Sequence, residues 1–176
     1  MGEWLDELIV ALHFWLGARR PYAHYTAVGH NSWQAVSTGT GNTIVGAVAG
    51  DALQGGDNNT LIGDGAGGAT TAASDLVIIG AVAGAAVMTD DADGTVIIGK
   101  GAGAAITSGE DNIAIGKNAL ASEDDGDGSV AIGFMCLSEQ TGVTGDVKNT
   151  AIGAKAGKDI LTGVNNVFIG HEAGHA

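Results

Sequence analysis

Three groups of side chains in this 176-residue chain have types and spacings that could do chemistry. His171, Glu172 and His175 form an H-E-x-x-H string, in which two histidines on one helical face hold zinc and the glutamate serves as general base. Such a site normally draws a third ligand from further downstream, and here only Ala176 follows. Asp90, Asp91 and Asp93 before Gly94, and Glu123, Asp124, Asp125 and Asp127 around Gly126 and Gly128, offer carboxylate oxygens of the kind calcium takes. Neither group has the twelve-residue spacing and closing glutamate of an EF-hand, so solvated loops are expected. Cys136 is the single cysteine, so no internal disulfide is available, and no Ser-His-Asp or Cys-His set can be assembled around it. The chain is therefore expected to have no catalytic residues, no cofactor and no metal site.

The element that must position these groups is a repeat. Glycines preceded by Ile or Val stand at 46, 63, 80, 99, 116, 133, 153 and 170, which divides residues 41–176 into eight units, mostly of 17 residues. The residue before each glycine and the residue three before it are β-branched in every unit, from Val45 and Thr43 to Ile169 and Val167. Alanine, or Cys136 in one unit, stands three residues after each glycine, so the thiol is expected at a core alanine position. The unit is too short for a helix pair and suits one coil of a β-solenoid, with glycine at the corner. Asn42, Asn59, Asn112, Asn149 and Asn166 precede the strands and are expected to stack as an amide ladder.

If the two β-branched positions point inward, with Ile115 and Ile132 in mid-core, the residue between them points out. That intervening residue is Ile44, Leu61, Ile78, Ile97, Ala114, Ala131, Ala151 or Phe168, none of them polar. A strand apolar on both faces is normally covered on both. Ile44, Leu61, Ile78, Ile97 and Phe168 are accordingly expected to form an oligomer interface.

The strings NTIVGAVAG (42–50), NTLIGDGAG (59–67), NTAIGAKAG (149–157) and NVFIGHEAG (166–174) resemble the heads of trimeric autotransporter adhesins and, more closely, the repeats of phage fibre proteins. The resemblance covers about three quarters of the chain. It implies an all-β fold, a left-handed parallel β-roll of eight coils, with three chains side by side. NIAIGKNAL (112–120) and VAIGFMCLS (130–138) depart from the pattern by losing the second glycine.

The N-terminal part differs in composition: six of the eight aromatic residues lie before residue 34. Leu5, Leu8, Leu12 and Trp15, with Trp4 nearby, follow helical spacing, so residues 3–16 are expected to form an amphipathic helix. Segment 1–21 is read as an anchor for a partner protein, through Trp4, Leu5, Leu8, Leu12 and Trp15, with capping of the solenoid as the alternative. Residues 22–40 are read as a collar or linker. With 7 Lys+Arg against 20 Asp+Glu, a net charge of −13, nucleic-acid binding is not expected. Residues 8–16 are too short a run to span a bilayer, and no export signal is read. Together with the resemblance, these features lead to a virion structural protein assembled in the host cytoplasm. It would be a homotrimeric short fibre or capsid decoration, bound to another virion protein and free to meet a host-surface ligand. A tail fibre or spike segment and a bacterial adhesin head are the alternatives.

Overall fold

The computed structural model describes residues 25–174, apart from 33, 36, 142 and 143. The chain winds as a parallel β-solenoid. Nine short strands stack in sequence into one sheet: β1 (Thr26–Val28), β2 (Thr43–Val45), β3 (Thr60–Ile62), β4 (Val77–Ile79), β5 (Val96–Ile98), β6 (Ile113–Ile115), β8 (Val130–Ile132), β10 (Thr150–Ile152) and β11 (Val167–Ile169). Two shorter strands, β7 (Gly126–Asp127) and β9 (Gly145–Asp146), pair beside them. Each coil sits in register on the next, as Thr43 on Thr60 and Ile115 on Ile132. Between coils, the Thr43 N–H donates to the Asn59 carbonyl at 2.7 Å and the Gly46 N–H to the Val28 carbonyl at 2.8 Å.

β1 shows that the stack begins one coil earlier than the eight repeats indicate. Gly29 lies 17 residues before Gly46 and closes the same T-x-V-G string. Part of the expected collar at 22–40 is thus a coil of the solenoid. The anchoring helix, with Trp4, Leu5, Leu8, Leu12 and Trp15, lies outside the described residues.

Repetition needs a fixed corner geometry. The glycine after each strand holds φ between +121° and +141°, and a Cβ added at Gly80 would lie 2.7 Å from the Gly99 carbonyl carbon. Only glycine allows the coils to approach so closely. The residue before each ladder position is also left-handed, and is Gly, Asn or Asp at every coil from Gly41 to Asn165 except at Lys148. The two longer units place their extra residues away from the sheet. One carries a single 3-10 turn, Asp90–Ala92, and the other carries β9.

The interior reverses the expected facing of the strands. Ile44, Leu61, Ile78 and Ile97 are 0–1 % exposed and fill the coil, as do Ala114, Ala131 and Ala151. Phe168 is half-buried against the same core. Ile115 and Ile132, expected in mid-core, lie on the outer face and are half-buried. Alternation marks the outer face only where Thr26, Thr43, Thr60 and Thr150 place a hydroxyl on it, and the remaining strands are apolar on both faces. Volume sets the phase. Where the middle strand residue is Ile or Leu, the position four after the coil's glycine is Gly, as Gly50 beside Ile44, where a Cβ would lie 3.0 Å from the Ile44 Cδ1. Where it is Ala114 or Ala131, that position is Leu120 or Leu137, both fully buried at φ of +50° and +46°. The two coils that lack the second glycine therefore keep the interior filled by moving the large side chain to the opposite wall.

Ala49, Ala66, Ala83, Ala102, Ala119 and Ala156 form a fully buried column, and Cys136 occupies one rung of it as expected. The asparagine ladder bonds mainly to backbone. The Asn42 side chain donates to the Gly56 carbonyl at 2.8 Å and accepts from the Asn59 N–H at 2.8 Å. The Asn166-to-Asn149 contact at 3.2 Å is an amide-to-amide bond of the expected kind.

Candidate functional site

The outer face of the nine-stranded sheet carries two parallel columns. One runs from Thr26 and Thr43 through Ile113 to Val167, and the other from Val28 and Val45 through Ile115 to Ile169. Every side chain in both columns is β-branched, and none is charged. β-branched residues suit this position because their stiff χ1 packs well against the equivalent residue one strand away. With strands ~4.8 Å apart, the nine rungs make a strip ~40 Å long. Most of its residues are half-buried by their neighbours alone, and exposure rises at the ends, to 52 % at Val28 and 69 % at Val167 and Ile169. An uncharged outer face is present, apolar except for the hydroxyls of Thr26, Thr43, Thr60 and Thr150, but it is built from the flanking positions. Ile44, Leu61, Ile78, Ile97 and Phe168 point into the coil and do not line it.

The residues with potential chemistry are spread around the coil. His171–Gly174 is a corner turn in which Glu172 has φ +53°, so the helical face that an H-E-x-x-H zinc site uses is not formed there; His175 lies outside the described residues. Glu172 instead faces the Lys155 ammonium at 2.9 Å. Cys136 is fully buried, and burial pushes its thiol up to about 11, so at neutral pH it is a protonated core residue.

Glu123, Asp124 and Asp125 bring one carboxylate oxygen each within 4.8 Å of one another. Burial, and then the neighbouring Asp124 charge, raise the Asp125 carboxyl above the usual range. The expectation of solvated loops fails at Glu123, which is fully buried. One Glu123 oxygen accepts from the Gly126 N–H at 2.9 Å, and the other accepts from the Gln140 amide at 2.5 Å. The Gln140 carbonyl in turn accepts from the Asn149 side chain at 2.7 Å. Leu53, Met88 and Ile106 occupy the equivalent inner corner in other coils. The sequence signal for this network is a polar residue seven after the coil's glycine in two consecutive units.

No family model, curated protein or solved structure matches the chain. Among the described residues, no helix is long and apolar enough to cross a membrane.

Proposed function

We propose that the protein is a structural component of a phage particle, a short homotrimeric fibre or capsid decoration. Segment 1–21 attaches it to another virion protein, and the acidic coils project outward. The observation that carries this reading is the outer strip. A parallel sheet with uncharged, β-branched residues along its whole outer face is a surface that proteins normally cover. Three rods packed through Ile98, Ile115, Ile132 and their neighbours would cover it. The interface assigned here thus uses the flanking columns in place of the residues between them.

Light scattering of the full chain tests the assembly. A trimer has about 52 kDa, three times 17.3 kDa, and a clean monomer at micromolar concentration defeats the proposal. Deleting residues 1–20 tests the attachment, and should leave a soluble, β-rich trimer that no longer incorporates into particles. Retained incorporation rejects the anchoring role.

A further inference from the structure

The two long edges of the outer strip carry opposite charge in the middle of the rod. The chain has five lysines against 20 Asp and Glu, and three of the five are paired within the coils. Lys148 lies 2.8 Å from Asp146, Lys155 lies 2.9 Å from Glu172, and Lys158 lies between Glu139 at 2.6 Å and Asp159 at 3.1 Å. Lys100 and Lys117 are exposed, and among the described residues neither side chain has an ion pair or a hydrogen bond. They directly follow Gly99 and Gly116, so they stand one rung apart at the edge where β5 and β6 leave the sheet. The edge where the strands enter is acidic over the same coils. Asp93 precedes Gly99 by six residues, Glu110 and Asp111 precede Gly116 by six and five, and Asp127 precedes Gly133 by six. Backbone holds two of these carboxylates in place: Asp93 accepts the Ser74 N–H at 2.5 Å, and Asp127 accepts the Glu110 N–H at 3.0 Å.

We propose that Lys100 and Lys117 dock onto the acidic edge of a second copy of this chain, at its Asp93, Glu110 and Asp111, with the rods parallel and each coil level with its equivalent. This rests on the lateral association read from the strip, and adds to it a direction, a register and the residues that set them. Direction follows from the edges. If two strips face each other and the rods run parallel, a half-turn about the rod axis carries the exit edge of one copy onto the entry edge of the other, and lysines meet carboxylates. If the rods run antiparallel, exit edge meets exit edge, so lysines face lysines and acids face acids. A three-fold axis along the rods keeps the parallel relation at every contact, and the ring closes. Register follows from the same symmetry, because rotation about an axis along the rods leaves each coil at its own height. Lys100 then comes level with the partner's Asp93, and Lys117 with the partner's Glu110 and Asp111. Two like-charged pairs also come level, Asp64 with the partner's Asp57 and Lys155 with the partner's Lys148. Three of these four are engaged within their own chain, Asp57 by the Thr40 N–H at 2.6 Å and the two lysines by the carboxylates named above. Complementary charge at the rim of an apolar contact fixes orientation and excludes the wrong pairing more than it adds affinity.

The test follows assembly of the full chain by light scattering over a dilution series at about 20 mM salt, where exposed charges are little screened. Lys100→Glu/Lys117→Glu should raise the concentration of half-assembly about tenfold or more, and Glu110→Lys/Asp111→Lys should do the same. Lysine suits the second site, since Lys148 holds the equivalent position at φ +51°. Combining all four substitutions exchanges the signs of the two edges and should return assembly toward that of the parent, a rescue that a merely structural role would not give. Circular dichroism verifies that each variant is folded. Carbodiimide cross-linking of mixed isotope-labelled and unlabelled chains should join Lys117 of one copy to Glu110 or Asp111 of another. Folded double variants that assemble as tightly as the parent overturn the edge pairing and leave the lateral reading standing. So does a quadruple variant weaker than either double variant, or links between copies that join the two lysines only to carboxylates off the entry edge. A parent chain that stays monomeric defeats the lateral reading itself, and the pairing with it.

Discussion

Ala114 and Ile115 are adjacent, but they lie on opposite sides of the sheet, and a carboxylate placed at each separates the two faces energetically. Ala114 is 0 % exposed and stacks between Ile97 and Ala131. An aspartate there must either stay ionised among apolar neighbours or take up a proton. Protonating a carboxyl of ordinary pKa ~3.9 at pH 7 costs about 4 kcal/mol, and leaving its hydroxyl and carbonyl without partners adds about 1–3 kcal/mol. The sum, about 5–7 kcal/mol, rivals the whole stability of a typical domain, about 5–15 kcal/mol. The folded-state pKa in Ala114→Asp is raised above the unfolded one. Stability is therefore greatest below the unfolded pKa and is lost as pH rises through the folded pKa. Urea unfolding should show the deficit of this variant shrinking by about 1.4 kcal/mol per pH unit between pH 7 and pH 5. Ile115→Asp places the charge on the outer strip. It should leave a folded chain without that pH dependence, and light scattering should show loss of the trimer. Tolerance of Ala114→Asp together with unfolding of Ile115→Asp would refute the assignment of inside and outside.

Removing Gln140 alone, as Gln140→Leu, leaves a buried Glu123 oxygen without its donor and should destabilise by about 1–3 kcal/mol. The double variant Glu123→Leu/Gln140→Leu should recover part of that loss in the same unfolding assay, since both partners become apolar. Cys136 should resist alkylation by iodoacetamide in the folded chain at pH 8 and react on unfolding. Its raised pKa stabilises the fold below pH 9, and about 3 kcal/mol is lost as pH rises from 9 through 11, a loss that Cys136→Ala should not show. Glu172→Gln removes an ion pair whose side chains are 38 % and 39 % exposed, so its thermal midpoint should shift by less than the equivalent of about 1 kcal/mol. No peptidase activity should depend on it.

The solenoid is legible because its corners constrain residue type so tightly. Glycine at the close approach and alanine at the inner wall permit few substitutes, and asparagine holds the ladder in five of eight repeats, with Leu76, Thr95 and Ser129 in the others, so the unit recurs at a readable spacing. The first coil is hard to read because Tyr25 stands at the ladder position and no Ala-Gly pair follows Gly29. The phase of the strands is obscured for a different reason. Uniform β-branching at Thr43 and Val45 suggested a core. The actual core column varies between Ile, Leu, Ala and Phe, because its volume is shared with the residue across the coil or, at Ala151 and Gly157, with Leu137 and Phe168 of the adjoining coils. Long-range compensation of this kind, Ala114 with Leu120 against Ile44 with Gly50, is visible only once the two walls are known to face each other. Glu123 reads as one carboxylate in an acidic loop, and nothing local marks it as the one turned inward.

A stack of similar coils has an inherent ambiguity, since a strand displaced by one whole repeat still finds an apolar column above it. Register slips of this sort are weakly opposed wherever successive units are interchangeable. Glu123 and Gln140 break the translational symmetry at a single place. Shift one against the other by a coil and the Glu123 Oε2 loses the Gln140 amide that now donates to it. The polar pair thus acts as an index mark along the rod, and misthreaded windings are penalised there while correctly threaded ones are not.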